Sequence, residues 1–259
     1  MSRLIGVISA KGGVGKTTVV SNLSVALAKV FHKRVTVVDC NITTSHLSLH
    51  FGAYSHPITL NNVLRDEASI EQAIFEHSTG VKIVPASLNL SDLFGVDISI
   101  LDRKFNNMFQ GEDFVFLDTA PGFGKEAVSA IRACDEALIV TTPDIPSVTD
   151  VLKSINVLKE LEVRPIGIIL NKVTGKKFEL RESEIKGITD LPILAKIPYE
   201  NKILQSLAVK MPLVVYDYRS KTSLEFFRLA KILAGYSEES FYTPKLSLFG
   251  RLKRIFRRS

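Results

Sequence analysis

Nine residues near the amino terminus, Ala10-Lys11-Gly12-Gly13-Val14-Gly15-Lys16-Thr17-Thr18, have the types and spacing of a phosphate cradle. Glycines allow tight backbone curvature, and their N–H groups can turn inward toward anionic oxygens. Lys16 can reach the β- and γ-phosphates of a nucleotide, and the Thr17 hydroxyl can ligate Mg²⁺. The pattern is G-x-x-x-x-G-K-T with Ala10 where the first glycine stands, which makes it a variant. A plain glycine turn between strand and helix could share the spacing, but it has no need of the Lys-Thr pair.

Such a loop works only between a strand and a helix, and the sequence supplies both. Leu4–Ser9, Val35–Asp39, Val81–Pro85, Phe114–Asp118, Ala137–Thr142, Ile166–Asn171 and Ile193–Ile197 are short, continuous apolar runs. Continuous runs are how strands covered on both faces read. Helical patterns lie between them at Thr17–Val30, Ile98–Phe109, Val148–Glu160 and Thr222–Ala234. Val20, Leu23, Leu27 and Val30 recur at helical spacing, the mark of a core-facing stripe. The alternation predicts an α/β fold: one P-loop domain on a mostly parallel, doubly covered β-sheet. A helix starting near Thr17 would add its positive dipole end to the loop.

The chain has 259 residues, 46% of them hydrophobic, enough for one full core. Fifteen Gly and ten Pro are too few for a low-complexity chain. Two cysteines, Cys40 and Cys134, exclude a disulfide framework and a CxxC metal site, and predict a reducing interior. The first apolar run is too short for a signal peptide, and no run is long enough to span a bilayer. The net charge is +6, from 33 basic and 27 acidic residues. Six of the basic residues and none of the acidic ones fall in residues 245–259. The rest is neutral, so the imbalance belongs to the tail.

A lysine at the head of the loop, Lys11 in Lys-Gly-Gly-Val-Gly-Lys-Thr-Thr, resembles the deviant Walker A motif of the MinD/ParA family of dimerising P-loop ATPases. The resemblance covers most of the body. It implies ATP and Mg²⁺ as ligands and a dimer in which two subunits face each other across two nucleotides. Lys11 would then reach the partner's phosphates, neutralising γ-phosphate charge only when the dimer forms. Asp39, at the end of the second strand, resembles the first switch acid. Asp118 in Phe-Val-Phe-Leu-Asp-Thr-Ala-Pro-Gly resembles the Walker B acid ahead of switch II. Both would support the Mg²⁺ water shell around Thr17, although an acid at a strand end can also be a plain cap. Asn171 resembles the residue that reads the adenine edge, its amide able to donate and accept; a polar turn residue after a strand would look the same. Pro198 resembles the loop beside the base, though prolines after strands are common.

One position departs from the family. Its second strand usually ends in D-x-D, whereas this chain reads Asp39-Cys40-Asn41. An amide can accept a hydrogen bond from a water but cannot carry charge or take a proton. Losing a general base costs on the order of tenfold to ten-thousandfold. Asn41 therefore predicts intact ATP binding and dimerisation with slow hydrolysis, unless it only begins the Ile-Thr-Thr-Ser loop.

Placed on a helix at about 100° per residue, Leu248, Phe249, Leu252, Ile255 and Phe256 fall within an arc of about 120°. Arg251, Lys253, Arg254, Arg257 and Arg258 fall outside it. That is a basic amphipathic helix suited to a membrane interface, and it resembles the C-terminal membrane-targeting sequence of the family's MinD branch. The expected division is a P-loop ATPase domain at 1–236, a linker at 237–245 and the helix at 246–259. Docking on the body, a DNA-binding arm and a partner-binding helix are the alternatives. DNA gives the apolar stripe nothing to bury against, so nucleic acid is disfavoured.

The resemblance implies a membrane-associated ATPase that positions cell-division machinery, cytoplasmic and peripheral on the inner face of the membrane. Partners would be a second copy, an anionic membrane surface and a protein of the division or positioning machinery. Alternatives are a flagellar- or organelle-positioning ATPase, a ParA-type DNA-partitioning ATPase and a non-hydrolysing ATP-bound scaffold. A biosynthetic P-loop ligase would need a substrate site the sequence does not display. An iron–sulfur carrier would need dimer-bridging cysteines.

Each basic side chain near an anionic leaflet contributes about 1 kcal/mol, and one helix of under about fifteen residues is marginal in water. Two copies on one dimer gain effective concentration. Full-length protein is therefore expected to sediment with anionic liposomes in ATP more than in ADP, and a chain ending at Pro244 to stay in solution. Equal sedimentation of the two chains overturns the tail assignment.

Overall fold

Alternate side chains of each buried strand enter opposite cores, and that one geometric fact organises the computed structural model, which describes residues 2–54, 56–105 and 108–236. Ile5 and Val7, Val35 and Val37, Phe114 and Phe116, Leu138 and Val140 face one helical layer. Ile8, Val38, Val115, Leu117, Ala137 and Ile139 face the other. Strands that must satisfy two apolar layers have no polar face to alternate, which is why they read as continuous runs.

The chain runs β1 (Arg3–Ile8), α1 (Lys16–Val30), β2 (Val35–Cys40), then short helices α2 (Leu47–Phe51), α3 (Leu60–Leu64) and α4 (Ile70–Ala73). It continues through β3 (Phe75–Glu76), β4 (Lys82–Val84), α5 (Leu101–Phe105), β5 (Phe114–Thr119), α6 (Lys125–Arg132), β6 (Glu136–Thr141) and α7 (Ile145–Glu160). Then follow β7 (Arg164–Val173), α8 (Glu182–Thr189), β8 (Ile193–Pro198), α9 (Asn201–Ala208), α10 (Leu213–Tyr216) and α11 (Lys221–Leu233). The eight strands form one sheet in the order β3-β4-β2-β5-β1-β6-β7-β8. Every pairing is parallel except the antiparallel edge β3–β4. This is the α/β P-loop fold expected, with the loop leaving β1 at the centre of the sheet.

Seven strands lie where the apolar runs place them. The eighth, β3, is two residues long and gives no periodic signal. Helix α7 begins at Ile145, three residues before the expected start: Asp144 caps it by accepting from the Ser147 N–H at 2.9 Å, and Pro146 lies in its first turn. The single helix expected at Ile98–Phe109 is instead a 3-10 turn at Ile98–Ile100 followed by α5. The Asp97 carboxylate accepts from the Ser99 N–H and starts a tight turn. The expected linker at 237–245 and amphipathic helix at 246–259 lie outside the described residues. No helix among the described residues is long and apolar enough to cross a membrane.

Gly167 marks the tightest approach in the sheet. Its φ is +154°, and a Cβ there would lie 2.6 Å from Leu194 Cγ and 2.8 Å from the Pro192 carbonyl oxygen. Overpacking of this kind costs about 1–3 kcal/mol, and each kcal/mol shifts Tm by about 2–4 °C in a chain of 150–250 residues. Gly167→Ala should lower Tm by several degrees in a thermal melt; an unchanged Tm would show that β7 and β8 can part without cost.

Candidate nucleotide-binding site

The loop after β1 turns through two left-handed glycines, Gly13 at φ +75° and Gly15 at φ +98°. Gly15 is also the N-cap residue of α1, and no side chain caps that helix. Its first-turn N–H groups and the positive end of its dipole therefore face the concave side of the loop, the arrangement that attracts phosphate. A Cβ at Gly15 would collide with the Asn171 amide, so the position requires glycine on two grounds.

Lys16 is 7% exposed and folds inward, its Nζ donating to Ser9 Oγ at 2.9 Å. Burial lowers its pKa, and the nearby Asp118 charge opposes that shift. Ser9 in turn donates to the Lys11 carbonyl at 2.6 Å, bridging the two ends of the loop. Thr17 and Thr18 open α1, and Val14 is buried beneath the turn. Lys11 points the other way: its Nζ lies 3.3 Å from Asp150 Oδ2 on α7, and its side chain is 39% exposed. Gly12 lies against Pro121 of the segment that follows β5.

Asp39 and Asp118 are register neighbours at the carboxyl ends of β2 and β5, 0% and 1% exposed. Asp39 accepts from Ser45 Oγ at 2.7 Å, the Leu47 N–H at 3.1 Å and the Asn41 N–H at 3.2 Å. Burial still holds its carboxyl above the usual range, against these bonds. Neither oxygen of Asp118 has a well-formed hydrogen bond. Burial first and the Asp39 charge second push its carboxyl up, while the nearby Thr17 hydroxyl and Lys16 ammonium restrain it. A buried carboxylate with open lone pairs beside a threonine hydroxyl and a phosphate cradle is a site for a hydrated cation. Among the described residues no cluster of three His, Cys, Asp or Glu could cage a metal. Mg²⁺ fits the chemistry of this set, and the Thr17 hydroxyl, Asp118 and Asp39 are the residues that would hold it and its waters.

Asn41 spends both ends of its amide inside its own loop. Its Nδ2 donates to the Thr44 carbonyl at 2.8 Å, and its Oδ1 accepts from Thr44 Oγ1 at 3.0 Å. An aspartate could not make the first bond. Asn171 is 2% exposed, and its Nδ2 donates to the Val14 carbonyl at 2.6 Å, leaving Oδ1 without a partner. Lys172, which the sequence did not single out, donates to the Gly13 carbonyl at 2.7 Å. Pro198 ends β8 and lines, with Val173, Thr174, Tyr199 and Glu200, an open cavity of about 590 Å³ between the carboxyl ends of β7 and β8. A larger cavity of about 730 Å³, bordered by Ser2, Leu4, Phe105 and Cys134, takes in the start of β1 rather than its loop end and contains none of these groups.

Residues 5–213 match the model of the CobQ/CobB/MinD/ParA nucleotide binding domain. An uncharacterised ATP-binding protein of Methanocaldococcus jannaschii is 33% identical over 96% of this chain and 94% of its own length. The cell division ATPase MinD of Pyrococcus furiosus superposes with a TM-score of 0.86 at 33% identity, covering 89% of this chain and 98% of that one. The septum site-determining protein MinD of Pyrococcus horikoshii, solved with Mg-ADP, gives 0.86 at 33% identity over 90% and 96%.

Asp118 carries the sharpest electrostatic consequence. Because its folded carboxyl holds a proton more tightly than in the unfolded chain, the stability it contributes is present at acidic pH and is lost as pH rises through the elevated pKa. Without nucleotide or Mg²⁺, Asp118→Asn should therefore melt a few degrees higher than wild type near pH 8, an advantage that shrinks toward pH 4. A variant that melts lower at pH 8, or a difference independent of pH, would show that this charge is not strained.

Proposed function

The chain belongs to the CobQ/CobB/MinD/ParA nucleotide-binding family, and on that premise we propose that it is a MinD-like ATPase switch. Two copies join face to face across Mg-ATP, and the dimer holds to an anionic membrane through the basic helix at 246–259 that follows the linker at 237–245. There it serves a protein partner in placing the division machinery. The septum-site and cell-division roles of the Pyrococcus homologues support the last step.

One observation carries the reading. Lys16 already fills the loop from inside, while Lys11, from the same loop, extends outward to a carboxylate on α7. A lysine meant for its own nucleotide would turn in; one meant for a partner's must project. The contact with Asp150 is an ion pair open to solvent on the lysine side, and a solvent-screened pair holds the side chain without trapping it.

The remaining residues divide the work. Backbone N–H groups of Gly12–Gly15 and the α1 terminus would hold the phosphates, with Lys16 on their outer oxygens and the Thr17 hydroxyl on the metal. Mg²⁺, when bound, supplies positive charge against the phosphate oxygens. With Asn171 Nδ2 committed to Val14, its free Oδ1 is an acceptor only. It matches the exocyclic amine of adenine and opposes the carbonyl of guanine, favouring ATP. Asn41, its amide engaged within its loop, favours a slow-hydrolysing switch and leaves an ATP-bound scaffold as the second reading.

Sedimentation equilibrium tests the switch. Wild type should be dimeric with Mg-ATP and monomeric with ADP. Lys11→Ala should bind ATP within a few fold of wild type yet remain monomeric, and Lys16→Ala should lose ATP binding. A Lys11→Ala chain that dimerises normally, or a dimer indifferent to nucleotide, overturns the proposal.

A further inference from the structure

The loop between Asp39 and α2, residues 41–46, is fastened mostly to itself and to Asp39: Asn41 and Thr44 bond each other twice, and Ser45 and the Leu47 N–H bond the Asp39 carboxylate. The segment between Asp118 and α6 is fastened to the carboxyl end of β1, where the phosphate loop begins. The Gly122 N–H donates to the Ser9 carbonyl at 2.9 Å, and Thr119 Oγ1 donates to the Val7 carbonyl at 2.9 Å. Beyond the strands themselves, the side-chain hydrogen bonds that join these two segments among the described residues come from Glu126. Glu126, in the first turn of α6, accepts from the Thr43 N–H through Oε1 at 3.0 Å and from Thr43 Oγ1 through Oε2 at 2.9 Å.

This is a two-point grip across 83 positions of sequence. A carboxylate accepting both an N–H and an O–H makes charge-assisted bonds and fixes direction as well as distance. The grip also brings a negative charge to a loop whose own residue 41 is a neutral amide. We propose that Glu126 is a positioning residue for ATP hydrolysis, acting through Thr43 to make the 41–46 loop and the 119–124 segment move as one body when the terminal phosphate is bound. This rests on the ATPase reading above. It predicts that Glu126 matters to the rate and little to ground-state binding, because Lys16, the loop amides and Asn171, which the reading above gives to nucleotide binding, are not among its partners. A misplacement of about 1 Å in such a site costs about a hundredfold in rate.

The test is a double-mutant cycle on the full chain with two readouts. Glu126→Ala should lower kcat tenfold to a hundredfold with KM for ATP within about twofold, and Glu126→Gln, which keeps one acceptor, should fall between. Thr43→Ala keeps the amide bond and should give a smaller loss that vanishes when combined with Glu126→Ala. Amide exchange supplies the second readout: a non-hydrolysable Mg-ATP analogue should protect both 41–46 and 119–128 in wild type, but only 119–128 in Glu126→Ala. An unchanged kcat, additive losses in the double variant, or full protection of 41–46 in Glu126→Ala overturns the inference. A wild-type chain that binds the analogue but hydrolyses nothing sinks the ATPase reading, and the exchange pattern then decides the coupling by itself.

Discussion

Two carboxylates buried side by side at the carboxyl edge of a parallel sheet are the constraint on which the rest depends. Asp39 and Asp118 occupy adjacent register positions on β2 and β5, inside an apolar sheet where an uncompensated charge is costly. Asp39 is relieved by three hydrogen bonds from the loop that follows it. Asp118 is not relieved at all by well-formed bonds, and its environment raises its pKa. A fold stable only for its own sake would replace such a group with an apolar one. The cost is intelligible if the missing partner is a ligand: cation and phosphates supply the charge that the protein leaves out. Sheet order follows from the same need, because β5 must lie beside β1 for Asp118 to reach the loop that β1 feeds.

Much of this was legible in the amino-acid sequence. Continuous apolar runs located seven strands, because a strand between two helical layers has no alternative pattern. The Gly-Lys-Thr loop and both acids were readable, since each ends an apolar run and each is chemically defined within a few residues. The short edge strand β3 and the eight-residue helices α6, α8 and α9 were not, because one or two turns carry too few periodic positions. The expected helix at Ile98–Phe109 failed for a local reason: the Asp97 cap selects a tighter turn than the apolar spacing implies.

Functional roles that depend on contact across the fold were also hidden. Asn171 braces Val14 from 157 positions away, and nothing in its neighbours announces that its donor is already spent. Lys172, Asp150 and Glu126 are unremarkable residue types where they stand. Each gains its part only because topology returns its strand or helix to the same edge of the sheet. Pattern reading finds groups that must be adjacent in sequence to work, and misses those that need only be adjacent in space.

The three lysines around the loop show how far placement, rather than residue type, decides chemistry. Lys16 is buried and held on Ser9, so its charge is concentrated where phosphate would lie, in surroundings that strengthen it. Lys172 takes the outer rim, holding the Gly13 carbonyl and so pointing the adjoining N–H groups inward. Lys11, partly exposed, is paired with the half-buried Asp150 carboxylate, which it shares with Lys153. A pair open to solvent on one side is weakly held, so in the proposed dimer a stronger anion presented from outside would displace Asp150 without disturbing the loop. Of the three, it alone is arranged to leave. Placement governs Asn41 and Glu126 as well: a neutral amide closes the 41–46 loop internally, and the charge that addresses that loop comes from α6. The proposed site thus combines segments closed on themselves with a few contacts that cross between them, and a ligand shared by those segments would couple them.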